Sequence, residues 1–218
     1  MHVDQLLEEA QHLARPCTLL VPQPDTEPVA AIWGGPGIVM PPDDPELHRI
    51  TIDCRFLPPY LQDLTGCISI YHMADDTALQ AVHHDPTCTL PATSHAGIKL
   101  YPQSTTSLPP LEALFRFGSP VIQDWLSANR WQREWEYNNN FPDRDVANTY
   151  NRLYQAQNPL YSGAAFAVLG GWHFPWPDGD WDDLLPQQLI IWTFEDAEPW
   201  LEIWRNTKGQ FHLKERIT

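Results

Sequence analysis

A double glycine followed by a proline loop and an alternating strand occurs twice in this chain. No other feature constrains the fold more. Gly34-Gly35, Pro41 and Asp44 stand 136 positions before Gly170-Gly171, Pro177 and Asp180. The earlier copy runs into Arg49-Ile50-Thr51-Ile52-Asp53-Cys54, and the later into Gln188-Leu189-Ile190-Ile191-Trp192-Thr193-Phe194. Glycine, proline and aspartate shape turns, and the alternation that follows marks a strand with one buried face. The repetition predicts a scaffold built from two duplicated halves, about 17–101 and 164–218. Gly34, Gly35, Gly170 and Gly171 are expected in structural roles, where backbone freedom rather than a side chain is needed.

The intervening chain reads differently. Val3 to Ala14 has apolar residues at helical spacing and stops before Pro16. Ser119-Pro120 opens a second helix, with Val121, Ile122, Trp125 and Leu126 expected on one face. Asp143 to Gln157 gives another, bearing Val146, Tyr150, Leu153 and Tyr154. Strands are expected at Thr18–Val21, Val29–Trp33, Ile50–Phe56, Gly66–His72, Gly97–Tyr101, Phe166–Leu169, Gln188–Phe194, Trp200–Arg205 and Gln210–Leu213. Thr77 to His84 has no clear period, and Ser104 to Pro110 reads as a connection. Strands at both ends and helices between them predict an α+β fold with mostly antiparallel sheet. One domain, 1–218, is expected, with helices at the N-terminus and in an insertion at about 110–160.

The 218 residues carry 28 acidic and 13 basic side chains, a net charge of −15. That balance repels phosphate backbones and anionic lipid, so neither nucleic acid nor membrane is an expected partner, whereas a basic protein is. No run of about 18 apolar residues spans a bilayer, and Met1 to Glu9 lacks the basic and apolar regions of a secretory signal. Cys17, Cys54, Cys67 and Cys88 form no C-x-x-C pair. Free thiols in a reducing cytoplasm are expected.

Motifs for chemistry are scarce. Gly34-Gly35-Pro36-Gly37 is followed by prolines and no lysine, unlike a phosphate-binding loop. Asp178-Gly179-Asp180-Trp181-Asp182-Asp183 alternates oxygen ligands. It has Asp183 where an EF-hand needs glycine and Leu189 where it needs glutamate, so no metal is assigned. His72, His83, His84 and His95 lack a ligand framework, because neighbours on a strand point to opposite faces. Cys88 lies near histidines with nothing to activate it. Ser94-His95 is sequence adjacency without a nucleophile elbow. Glu195, Asp196, Glu198 and Glu202 are acidic without a known separation. No cofactor and no catalytic residue are assigned. The tryptophans of the second copy stand among carboxylates. Trp172, Trp176, Asp178, Asp180, Trp181, Asp182 and Asp183 are the candidate partner-binding residues, suited to lysine- or arginine-rich surfaces through cation–π contacts and charge pairing. The same loop, 172–183, would alternatively serve an enzyme or a carbohydrate binder, since tryptophan also stacks on sugar rings.

The order of these signals resembles a known family. A glycine-proline loop precedes Arg49-Ile50-Thr51-Ile52, and Gly66 opens Cys67-Ile68-Ser69-Ile70-Tyr71. Leu169-Gly170-Gly171-Trp172-His173-Phe174-Pro175 leads to Leu184-Leu185-Pro186-Gln187-Gln188-Leu189-Ile190, and Trp204-Arg205 with Lys208-Gly209-Gln210-Phe211-His212-Leu213 closes the chain. Together they resemble the YwqG-like bacterial proteins, over about two thirds of the chain. The first copy departs from that pattern, with Arg49 where the family's strand carries glutamine. The resemblance implies a duplicated, sheet-rich α+β fold without an established active site. Some members are immunity proteins encoded beside polymorphic toxins, which they neutralise by binding. Together with the acidic charge and the lack of a secretory signal, it leads to the expectation of a cytoplasmic, non-catalytic bacterial protein whose partner is a basic cognate toxin domain.

Overall fold

A computed structural model describes residues 1–22, 28–39, 45–73, 80–91, 96–128, 144–157, 165–172, 188–193 and 200–216. The fold is α+β with a large curled antiparallel sheet and four helices among the described residues. The chain packs as two compact units, one of residues 1–15, 106–163 and 171–179 and one of residues 16–105, 164–170 and 180–218.

The first unit is helical. Helix α1 spans Val3–His12, α2 Leu111–Phe117, α3 Pro120–Ala128 and α4 Arg144–Gln157. At the start of α1 the Gln5 side chain accepts the His2 backbone N–H at 3.0 Å, satisfying a donor that the helix leaves open. Helix α2 is not legible as a helix beforehand. It is one short amphipathic run between Pro110 and Gly118 that buries Leu111, Ala113 and Leu114. Leu6, Ala10, Leu114, Ile122, Leu126, Ala147 and Tyr150 form the unit's core. Tyr150 is fully buried, and its hydroxyl donates to the Pro109 carbonyl at 2.6 Å. Val121, expected on the inner face of α3, is 66% exposed. Ile122 and Leu126 lie four apart on the buried stripe, and Val121 is rotated about 100° from Ile122.

The second unit is the sheet. Its strands are β1 Arg15–Val21, β2 Ala31–Trp33, β3 Pro45–Asp53, β4 Cys67–Met73, β5 Gln80–Asp85, β6 Ile98–Ser107, β7 Ala167–Gly170, β8 Gln188–Thr193, β9 Trp200–Arg205 and β10 Phe211–Arg216. They are ordered β10-β9-β8-β7-β1-β6-β2-β3-β4-β5. Strand β3 begins before Ile50 and stops at Asp53. There the carboxylate accepts the Arg55 backbone N–H at 2.9 Å and caps a 3-10 turn over Cys54–Phe56, which the alternating pattern had placed in the strand. Strand β6 continues through Ser107, past the expected connection at Ser104. The ambiguous stretch becomes β5. The closing hairpin turns at Asn206–Gly209, where Asn206 Oδ1 accepts the Lys208 and Gln210 backbone N–H groups, each at 2.9 Å.

Two four-strand meanders share one register. In β2 and β3, Ala31, Ile32 and Trp33 face Ile52, Thr51 and Ile50. In β7 and β8, Ala167, Val168 and Leu169 face Thr193, Trp192 and Ile191. Ile50 and Thr51 then face Ile70 and Ser69, as Ile191 and Trp192 face Ile203 and Glu202. Each second strand carries a register shift at the same place, between His48 and Ile50 and between Leu189 and Ile191. Ile70 and Ser69 face Val82 and His83, as Ile203 and Glu202 face Leu213 and Lys214. The first strand of each meander has an antiparallel outer neighbour. Leu100 of β6 faces Ala31, and Leu20 of β1 faces Ala167.

The sheet curls until its two edges approach, and the Phe211 ring of β10 lies edge-on to His84 of β5 at 6.0 Å. Ile50, Ile52, Ile68, Ile70, Leu100, Leu169, Ile190 and Ile203 fill the core inside it. A fully buried aliphatic side chain contributes about 1.5–3 kcal/mol, so these alternating inward residues hold the register. The glycine pairs end β2 and β7. Gly34, Gly35, Gly170 and Gly171 have φ of 67°, 72°, 71° and 82°, a left-handed conformation that an L side chain disfavours.

Candidate functional site

The seven expected binding residues are not brought together among the described residues. Trp176, Asp178, Asp180, Trp181, Asp182 and Asp183 lie outside them. Trp172 is described, and it is no surface anchor: it is only 3% exposed within the helical unit. Its backbone N–H donates to Ser107 Oγ at 2.7 Å, and its indole N–H to the Leu13 carbonyl at 2.8 Å. The Arg15 guanidinium lies over the ring at 3.5 Å, and the Phe117 ring sits 5.7 Å away. Its polar tip and the face under Arg15 are thus engaged inside the protein, and burial keeps the ring from acting as a surface anchor.

The histidines separate as the strand period requires. On β5, His83 meets the edge of Tyr71, while His84 donates from Nε2 to the Thr65 carbonyl at 2.7 Å. His95, Ser94, Glu195, Asp196 and Glu198 lie outside the described residues. Glu202 is described and buried at 1% exposure, accepting the Trp204 indole N–H at 3.2 Å. Among the described residues no three His, Cys, Asp or Glu side chains are grouped to hold a metal ion.

A chain of polar groups runs between β3 and β4, where the sequence showed only alternation. His48 Nδ1 is 3.1 Å from the Gly34 carbonyl, and a carbonyl only accepts, so Nδ1 carries the proton. In the neutral ring Nε2 then accepts from Thr51 Oγ1 at 2.7 Å, and Thr51 in turn bonds Ser69. The Tyr71 hydroxyl donates to the Val39 carbonyl at 2.5 Å, and burial raises its pKa. Thr51 and Ser69 are fully buried, so no substrate reaches either hydroxyl. The chain ties the glycine turn to the sheet and satisfies groups that would cost about 1–3 kcal/mol each unpaired.

The accessible chemistry lies around Arg55. Asp53 is buried, and it accepts Arg55 Nη2 at 2.6 Å and Nε at 2.9 Å in a two-pronged ion pair. Two clefts of the sheet unit share Arg55 and Gln62. One, of about 450 Å³, is lined also by Cys54, Thr65, Thr87 and Cys88. The other, of about 530 Å³, is lined by Pro16, Cys17, Phe56, Pro58 and Ser104. Burial, then the Asp53 charge, pushes the Cys54 thiol up to about 12. Burial likewise raises Cys67, helped by a side-chain hydrogen bond with Cys88. Asp85 moves the other way, lowered by the Thr87 hydroxyl and backbone N–H that its carboxylate accepts. Cys54 and Cys67 therefore stay protonated near neutrality and are weak nucleophiles. Only their convergence, from a 3-10 turn and the start of the strand that follows it, was hidden from a one-dimensional reading.

No family model, curated protein or solved structure matches this chain.

Proposed function

We propose that this chain is a non-catalytic binding protein that neutralises a cognate bacterial toxin by direct contact, the toxin domain being basic. The observation that carries the reading is the charge of −15 over 218 residues, which steers a cationic partner toward the surface and raises the encounter rate. Two features of the sheet unit support it. The hydroxyls beside His48 are buried, and burial raises the pKa of the Cys54 thiol that lines a cleft. The resemblance to the YwqG-like proteins, some of which are immunity proteins, suggests the specific role. The competing enzyme or carbohydrate reading of loop 172–183 has Trp172 as its one described tryptophan, and that ring is buried.

The test is co-purification with the product of the adjacent gene, followed by inhibition of that product's activity. Complex formation that weakens at least tenfold between about 50 and 500 mM salt is expected, since screening shortens the reach of surface charge. A neighbour that neither binds nor is inhibited removes the toxin assignment. A pure sugar or nucleotide that binds with micromolar affinity favours the competing reading instead.

We further read the sheet as a duplication whose first strands are exchanged. In this reading β1 to β5 form one repeat and β6 to β10 the other, so β1 and β6 are equivalent. The pairing of β1 with β7 and of β6 with β2 supports it, as does the identical placement of the register shift. Ile50 then corresponds to Ile191, which makes the loop after the glycines longer in the second repeat. The second repeat on this reading starts at β6, inside the first of the two stretches, 17–101, that the repeated glycines delimit.

A further inference from the structure

Three of the four cysteines converge on one corner of the sheet unit. The Cys54 backbone N–H donates to the Gly66 carbonyl at 2.9 Å, which sets Cys54 beside the start of β4. Cys67 opens β4 and faces Asp85 at the end of β5. From Asp85 the chain turns back, with the Cys88 backbone N–H reaching the Asp85 carbonyl at 3.4 Å. The turn is held by Thr87, which donates to the Asp85 carboxylate from its backbone N–H at 2.8 Å and from its hydroxyl at 2.7 Å. Cys88 is thereby returned toward the Cys67 end of the hairpin, and it is among the groups that raise the Cys67 thiol pKa. Cys54 and Cys67 are buried, whereas Cys88 is half-exposed and lines the 450 Å³ cleft.

We propose that Cys88 and Cys67 are a peroxide-responsive thiol pair that closes a reversible disulfide between the start of β4 and the turn after β5. Access assigns the roles. Cys88 reaches solvent through the cleft and is oxidised first, and Cys67 resolves it from the interior. The Cys88 thiolate displaces hydroxide from hydrogen peroxide: an S–O bond forms, the O–O bond breaks, and the hydroxide leaves as water after taking a proton. Cys67 then loses its proton and attacks the Cys88 sulfur. The S–S bond forms, the S–O bond breaks, and hydroxide departs with that proton as a second water. Two thiols are oxidised and one peroxide is reduced to two waters. A small-molecule dithiol reverses the step by exchange. Cys67 is a weak nucleophile in the reduced protein because burial keeps it protonated, so it acts only once the Cys88 sulfur has been activated by oxidation. The closed bond pins the β4–β5 hairpin, whose β5 meets β10 at the curled edge.

The full-length protein is treated with hydrogen peroxide, alkylated, cleaved before aspartates and mapped by mass spectrometry. The expected product joins the peptide holding Cys67 to the peptide holding Cys88, with a loss of about 2 Da from the intact chain that dithiothreitol restores. In Cys67→Ser the Cys88 sulfur has no resolving partner and is expected to accumulate a sulfenic acid trapped by dimedone. Cys88→Ser alters a half-exposed side chain, and is expected to leave Cys54 and Cys67 unoxidised at the same dose. Sulfinic or sulfonic acid on Cys88 in the unsubstituted protein, with Cys67 still open to alkylation after denaturation, overturns the proposal. So does a bond from Cys88 to Cys54, or oxidation of Cys67 at an unchanged rate in Cys88→Ser.

Discussion

Arg15 lies over Trp172, with its guanidinium carbon 3.5 Å from the ring centre. The indole N–H points to Leu13, two residues before Arg15, at 2.8 Å. One tryptophan therefore gathers the end of the N-terminal segment, Ser107 and Phe117 within the helical unit.

Trp172→Ala is expected to destabilise that unit by about 3–5 kcal/mol, the cost of emptying a buried aromatic site. Trp172→Phe keeps much of the volume and loses the indole hydrogen bond, for about 1 kcal/mol. Urea denaturation followed by circular dichroism measures both. Equal losses in the two variants are the outcome that the packing account does not allow.

The proposed exchange of first strands has a consequence for assembly. A chain divided after Pro91 leaves β1 without β7 in one fragment and β6 without β2 in the other. Each fragment alone is expected to show little sheet by circular dichroism and to aggregate, because its outer strand has lost its partner. Mixed during refolding, the two are expected to form a 1:1 complex with the spectrum of the intact chain. Independent folding of residues 1–91 contradicts this arrangement of repeats.

Alkaline pH probes the buried thiol corner. Cys54 ordinarily titrates near 9.0 and is pushed up to about 12 in the folded protein. The folded state then holds a proton that the unfolded state releases between these values. Stability from this thiol is complete below about pH 9 and is lost as pH rises toward 12. Cys54→Ala is expected to flatten the fall in denaturation midpoint between about pH 9 and pH 12, each protein being compared with its own value near neutrality. An identical slope in both proteins assigns the alkaline sensitivity elsewhere.

Particular residues show what was legible in one dimension. The alternation of Ile50, Thr51 and Ile52 marked a strand, because successive side chains point to opposite faces. It did not mark the strand's end, since Asp53 caps the next turn with a local hydrogen bond that period two does not anticipate. The Leu111–Phe117 helix escaped notice because seven residues carry too few turns for a clear period. Trp172 looked like a binding residue beside its acidic neighbours. Ring size and composition cannot distinguish an exposed indole from one whose N–H finds a carbonyl 159 positions earlier.

The amino-acid sequence alone determined the class of fold, the antiparallel strands, the repeated glycine turns and the strong negative charge. These follow from local rules: side-chain period, the freedom of glycine at positive φ, and the count of ionisable groups. The tertiary structure decided which strands became neighbours, and so which side chains met. It buried Trp172 against Arg15, joined His48 to Thr51 and Ser69, and brought the turn bearing Cys88 back to the start of β4. Those meetings depend on register and on the return of distant segments to one sheet. Non-local burial sets that return, and no short window of sequence encodes it.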